Sequence, residues 1–180
     1  MTHEHEHEHE HEHQHLDYPS AVRAFRVEKD EFFRTGHGSP LPATGRADFA
    51  GLPYFPIEEG LRFESLMLEP YSGDEPVSFE IPTSDGKLRP AQRAGVLRFD
   101  VDAVPCRLTA YTFAGGGSES LFVPFLDGTS GTESYGAGRY LDLEAELDGS
   151  YVVDFNLAYH PSCVYDTRFS CPLTPAENRL

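Results

Sequence analysis

From residue 61 to residue 159 the chain consists of short runs in which apolar and polar side chains alternate, each stopped by a glycine-containing turn. Alternation of period two puts every second side chain on the same side of an extended strand, so such a run buries one face and wets the other. Residues 61–68 and 77–81 are the first candidates. Asp85-Gly86 is a hairpin pair, since a tight two-residue turn needs positive φ, and it joins 79–81 to 87–89. Residues 95–101 set Leu97, Phe99 and Val101 against Val96, Arg98 and Asp100. Residues 106–113 set Cys106, Leu108, Ala110 and Thr112 against Arg107, Thr109, Tyr111 and Phe113. A strand over 121–126 follows Gly115-Gly116-Gly117, and Asp148-Gly149 predicts a second hairpin between 139–147 and 150–159. Short strands with no helix between them predict a mainly β protein, its antiparallel sheet barrel-like or sandwiched.

One helix should precede the strands. Asp17 or Ser20 can cap it and Pro19 suits its first turn. Val22, Phe25, Phe32 and Phe33 fall on one face, and Gly36 closes it. Residues 37–60, rich in Gly and Pro, predict a long irregular loop packed across the domain, anchored by Leu41, Phe49, Leu52, Tyr54, Phe55 and Ile57. Residues 16–180 are expected to form a single globular domain.

Residues 1–15 are a His/Glu-rich tail expected to be disordered, having no apolar side chains to bury. His3, His5, His7, His9, His11, His13 and His15 alternate with Glu or Gln. Neutral imidazoles at that spacing suit nickel, copper or zinc. A natural metal-buffering tail, a functionless repeat expansion and a purification tag all fit. Gln14 and the missing linker before Leu16 favour a natural tract.

Thirty acidic residues face fourteen basic ones, of which twelve are Arg and only Lys29 and Lys87 are lysine. Five of the glutamates lie in the tail, so the formal charge of −16 becomes −11 for the body. A field of that sign disfavours nucleic acid and anionic membranes. Scarce lysine with abundant acid is what concentrated salt selects, and a halophilic source is expected; a GC-rich genome would also favour arginine. No secretory signal or membrane span is evident, so a cytoplasmic protein is expected. Three cysteines cannot all pair, and a reducing compartment disfavours disulfides. Cys106 reads as buried packing.

Three runs near the C-terminus carry a family likeness. They are Asp127-Gly128-Thr129-Ser130-Gly131 with Tyr135-Gly136-Ala137-Gly138-Arg139-Tyr140-Leu141; Asp154-Phe155-Asn156-Leu157-Ala158-Tyr159-His160-Pro161-Ser162-Cys163-Val164-Tyr165; and Cys171-Pro172-Leu173-Thr174-Pro175-Ala176-Glu177-Asn178-Arg179-Leu180. Together with Ser39-Pro40-Leu41 and Gly51-Leu52-Pro53-Tyr54-Phe55-Pro56, they resemble the prokaryotic domain-of-unknown-function family 1684, over roughly residues 20–180. The resemblance implies a soluble archaeal or bacterial protein and brings no established reaction. His160 stands where an amide such as Asn is expected. Relatives also run on beyond the position of Leu180 through another short strand, so either sheet-edge pairing differs or that strand is dispensable.

The candidate site lies within 127–177. Asp127 with its neighbouring hydroxyls either closes its own turn or offers a pocket carboxylate to Arg139. Arg139 should pair with Asp127, Asp154 or Glu177, or fork onto an anionic ligand. Asn156, Tyr159 and Glu177 are candidate polar contacts. The glycines at 115–117 and 136–138 lack the Lys and Ser/Thr of a phosphate loop. His160, Cys163 and Cys171 are too few for zinc without a further ligand. Cys163 and Cys171 are expected in contact, as a disulfide or as packed thiols. The expected function is binding of a small, anionic molecule in a polar pocket. The alternatives are a hydrolase using Asp127, Glu177 or Cys163, and a metal-handling protein working through its tail. No cofactor is predicted beyond adventitious nickel or zinc at the tail, and nothing signals an oligomeric state. Nickel or zinc affinity is expected to reside in the tail: calorimetry should show it lost on deletion of residues 3–15, and undiminished affinity would place it elsewhere.

Overall fold

The computed structural model describes residues 16–114 and 120–180. The tail histidines and the Gly115–Gly117 run lie outside the described residues. Helix α1 spans Tyr18–Thr35. The Asp17 carboxylate accepts the Ser20 N–H at 2.8 Å, Pro19 sits in the first turn, and Gly36 ends the helix with its N–H on the Phe32 carbonyl. Val22 and Phe33 are buried as expected. Phe25 and Phe32 are 41% and 46% exposed, because their part of the stripe faces a cavity rather than the core.

The strands are β1 Arg62–Leu66, β2 Ser78–Pro82, β3 Leu88–Val101, β4 Val104–Phe113, β5 Ser120–Phe125, β6 Arg139–Glu144 and β7 Tyr151–Asp154. β2 to β6 form a five-stranded antiparallel sheet in chain order, while β1 and β7 form a separate antiparallel pair. The sheets do not close into a barrel; they lie as in a sandwich. Leu97, Phe99, Leu108, Ala110, Leu121 and Val123 pack from the larger sheet against Val153, Phe63 and Leu66 of the smaller one.

The second expected hairpin is not formed as a ladder. After the turn at Asp148-Gly149 the chain leaves β6 and pairs with β1 instead, with Arg62 opposite Asp154 and Phe63 opposite Val153. The expected strand over 150–159 stops at Asp154, whose carboxylate accepts the Asn156 N–H and starts a 3-10 turn, Phe155–Leu157. A single bridge, Tyr140 to Tyr159, returns the chain to the larger sheet.

The other face of the larger sheet is covered by the C-terminal segment. Thr83 bridges Pro172 and Leu126 bridges Arg179. Fully buried Asn178 accepts the Thr109 N–H at 2.8 Å and donates to the carbonyls of Thr109 and Pro124 at 2.8 and 2.7 Å. One amide thus replaces strand pairing where the ladder needs it. Truncating it strands buried donors and acceptors. Asn178→Ala should cost about 3 kcal/mol by urea denaturation, whereas Cys106→Ser at a half-buried thiol should cost under about 1 kcal/mol. Equal small losses would show that the amide bonds are dispensable.

Candidate functional site

Where the β3–β4 hairpin and the β5–β6 connection meet α1 and the 38–58 loop, the layers part around a cavity of about 1170 Å³. This exceeds the ordinary range for small-molecule sites. Its wall is mostly apolar, with Phe25, Phe32, Leu52, Phe55, Val101 and Phe155 contributing rings and aliphatic surface. The same wall holds three cationic side chains, Arg26, Lys29 and Arg139, together with five carboxylates, Glu28, Glu58, Asp102, Asp127 and Glu133.

Arg139 opens β6, where Phe125 is its strand partner. The residue before it is Gly138 at φ +102°, and a Cβ there would meet the Phe125 carbonyl at 2.4 Å and Thr174 Oγ1 at 2.5 Å. Glycine therefore lets the strand start tight against its neighbour, and the Arg139 side chain turns inward. It is 9% exposed. Nη2 donates to Asp127 Oδ2 at 2.6 Å, and the guanidinium lies 5.1 Å from the centres of both the Phe55 and Phe125 rings. Nε is buried without a partner. One N–H of five is committed to a carboxylate.

Asp127 does both things the sequence left open. Its Oδ1 accepts Thr129 N–H at 3.0 Å and Thr129 O–H at 2.6 Å, closing the turn, while Oδ2 faces Arg139. Burial pushes its carboxyl up, but the Thr129 hydroxyl and the Arg139 charge outweigh that and hold it below the usual 3.8.

Arg26 and Lys29 come from α1. Arg26 donates to the carbonyls of Phe55 at 2.9 Å and Asn156 at 3.3 Å and lies 4.8 Å over Tyr54; its Nε is also buried without a partner. Lys29 Nζ sits 4.9 Å over the Tyr159 ring, and burial lowers its pKa to about 8 against the opposing charges of Asp30 and Asp142. Among the described residues neither cation has a carboxylate within salt-bridge distance. Both escaped the sequence reading. The signal was there: Val22, Arg26, Lys29 and Phe33 recur at helical spacing, so two charges occupy the stripe that should face inward.

Four of the five ligand contacts named from sequence line this cavity: Asp127, Arg139, Asn156 and Tyr159. The Asn156 side chain is committed to the frame, with Oδ1 accepting the Glu58 N–H and Nδ2 donating to the Tyr18 hydroxyl and the Glu58 carbonyl. The Tyr159 hydroxyl donates to Asp142, which with burial raises its pKa, and leaves the ring facing Lys29. Glu177 stands apart from the cavity, bound to Arg93 Nε and to the Tyr111 hydroxyl, both at 2.8 Å. His160 lines the cavity; burial, then the charges of Arg139 and Lys29, lower its pKa and keep it neutral, with Nε2 accepting the Tyr135 N–H at 3.4 Å. Cys163 and Cys171 are free thiols in contact, Cys163 N–H donating to Cys171 Sγ at 3.3 Å, and burial pushes Cys171 up. Neither is in the cavity wall. Cys106, read as packing, is half-buried in that wall. Among the described residues no group of His, Cys, Asp and Glu side chains converges as a metal set.

Because folding lowers the Asp127 pKa, the stabilisation this group supplies is complete above pH 3.8 and is lost as pH falls through the lowered value. Thermal melts of Asp127→Asn should therefore be less stable than the parent at pH 7, with the gap closing as the pH falls below 3.8 and through the lowered value. A gap that stays constant with pH would show that the charge contributes nothing.

The family model described as "Protein of unknown function (DUF1684)" matches residues 47–180, so the fold from the irregular loop onward lies in the matched span and α1 precedes it. The solution NMR structure of an uncharacterized protein of Haloarcula marismortui is 38% identical to this chain, with a TM-score of 0.64, over 91% of this chain and 89% of that one. No curated protein matches. No helix among the described residues is long and apolar enough to cross a membrane. With three quarters of its length inside the match, this chain belongs to the DUF1684 family of proteins of unknown function.

Proposed function

We propose that this protein binds a small amphipathic anion, a carboxylate carried on an apolar chain or ring, in the cavity between α1 and the sheets. One observation carries the reading: Arg139 is nine-tenths buried in an apolar wall, yet its Nε has no partner and a single carboxylate bond holds the guanidinium. A buried cation is costly unless compensated, and a forked guanidinium suits a carboxylate. Arg26 and Lys29 add two positive charges that no described carboxylate neutralises at contact distance, inside a body of net charge −11. The wall's aromatic and aliphatic surface suits the rest of such a molecule better than the polar pocket expected from sequence.

The hydrolase alternative has no comparable support. Asp127 is tied to Arg139 and Thr129, Glu177 to Arg93, and Cys163 packs on Cys171. Metal handling by the tail stands as a separate proposal on residues the structure does not describe. A cytoplasmic, salt-adapted protein remains our reading of the composition, resting on two lysines among fourteen basic residues.

Titration with decanoate, decanol and acetate separates the contributions. Decanoate should bind about tenfold tighter than decanol, about 1.4 kcal/mol, and acetate should not bind measurably. The charge-neutral double variant Asp127→Asn/Arg139→Met should lose that preference without leaving an unpaired buried charge. Equal affinity for decanoate and decanol, or an unchanged preference in the variant, overturns the proposal.

A further inference from the structure

We propose that Lys29 is a carbonyl-reactive amine, and that the cavity takes a carboxylate-bearing aldehyde or ketone which Lys29 captures as a reversible imine. The inference deepens the anion-binding reading and rests on it for the ligand's carboxylate.

Lys29 has no evident structural duty. Its ammonium makes no hydrogen bond or salt bridge among the described residues and touches only ring faces, Tyr159 at 4.9 Å and Phe25 at 5.7 Å. The chain supplies positive charge with arginine at twelve of fourteen basic positions. Arginine cannot shed its proton, whereas a desolvated lysine can and then becomes a nucleophile. The other lysine, Lys87, is exposed on a hairpin and bound to Asp85 at 2.6 Å. The cavity therefore holds a lysine in a place where charge alone would have been met by arginine.

The surroundings favour the neutral amine near pH 8. Burial depresses Lys29 to about 8. Asp30 on its own helix and Asp142 of β6 oppose that shift, and Arg26 lies one turn away. Across the cavity Tyr159 stays protonated, and neutral His160 feels the charges of both Arg139 and Lys29. The step balances without an oxidant. Lys29 releases its proton to solvent and its nitrogen adds to the carbonyl carbon. The carbonyl electron pair moves to oxygen; the nitrogen gives up its two hydrogens to solvent as the oxygen takes up two protons, and the C–O bond breaks to release water while the nitrogen lone pair closes the C=N bond. The net change is amine plus aldehyde to imine plus water.

The test uses the full chain with 4-formylbenzoate and cyanoborohydride at about pH 8, followed by peptide mass mapping. Lys29 should be labelled at least about tenfold faster than Lys87 despite its lower exposure, and Lys29→Arg should abolish that adduct. Labelling that follows exposure, with Lys87 equal to or ahead of Lys29, overturns the proposal. A decanoate competition separates the two readings. Selective Lys29 labelling that decanoate suppresses supports both. Selective labelling that decanoate leaves unchanged supports the amine and removes the shared anion seat. Decanoate binding with labelling at Lys87 keeps the anion site and ends the imine.

Discussion

The interaction on which the rest depends is the ion pair between Arg139 and Asp127 at the end of the larger sheet. A guanidinium in an apolar wall must be compensated. The fold meets that demand by bringing the chain segment after β5 back against the start of β6, with Thr129 and Ser130 shaping the turn that presents the carboxylate. The compensation is partial by construction. One bond at 2.6 Å satisfies the charge, while Nε remains without a partner. The Nε–H is itself covered by protein, so the donors Arg139 can offer the cavity are its remaining Nη hydrogens.

A second frame holds the other wall in place. Asp154, 5% exposed, receives the Tyr18 hydroxyl at 2.8 Å and the Asn156 amide at 3.0 Å. Asn156 in turn grips the Glu58 backbone, and Asp30 grips Leu52 and Tyr54. Helix, loop and smaller sheet are therefore tied by part-buried and exposed polar contacts.

Much of the sheet was legible because period-two alternation is a local property. Leu97, Phe99, Leu108 and Ala110 sit where their alternation placed them, and a hairpin turn forms at Asp85-Gly86, with Gly86 at positive φ and Thr83 closed onto Lys87. The pairing of β7 with β1 was not legible, since partner choice depends on chain segments some ninety residues apart. In the candidate site, the Asp127–Arg139 contact was readable as one of three carboxylate options for a buried arginine. The place of Glu177 was not, because nothing in the sequence marked Arg93, 84 residues away, as its partner. Arg26 and Lys29 were hidden by the habit of assigning helix charges to solvent, although their spacing with Val22 and Phe33 pointed inward.

Arginine Nε–H resonances offer the most direct view of the central claim, that the guanidinium groups lining this cavity face an occupant of it. In ¹H–¹⁵N spectra recorded during addition of decanoate, the account predicts that the Nε–H signals of Arg139 and Arg26 shift together and saturably, while those of exposed Arg98 and Arg168 stay still. Shifts confined to the surface arginines, or none at Arg139 and Arg26 at saturating decanoate, would contradict it.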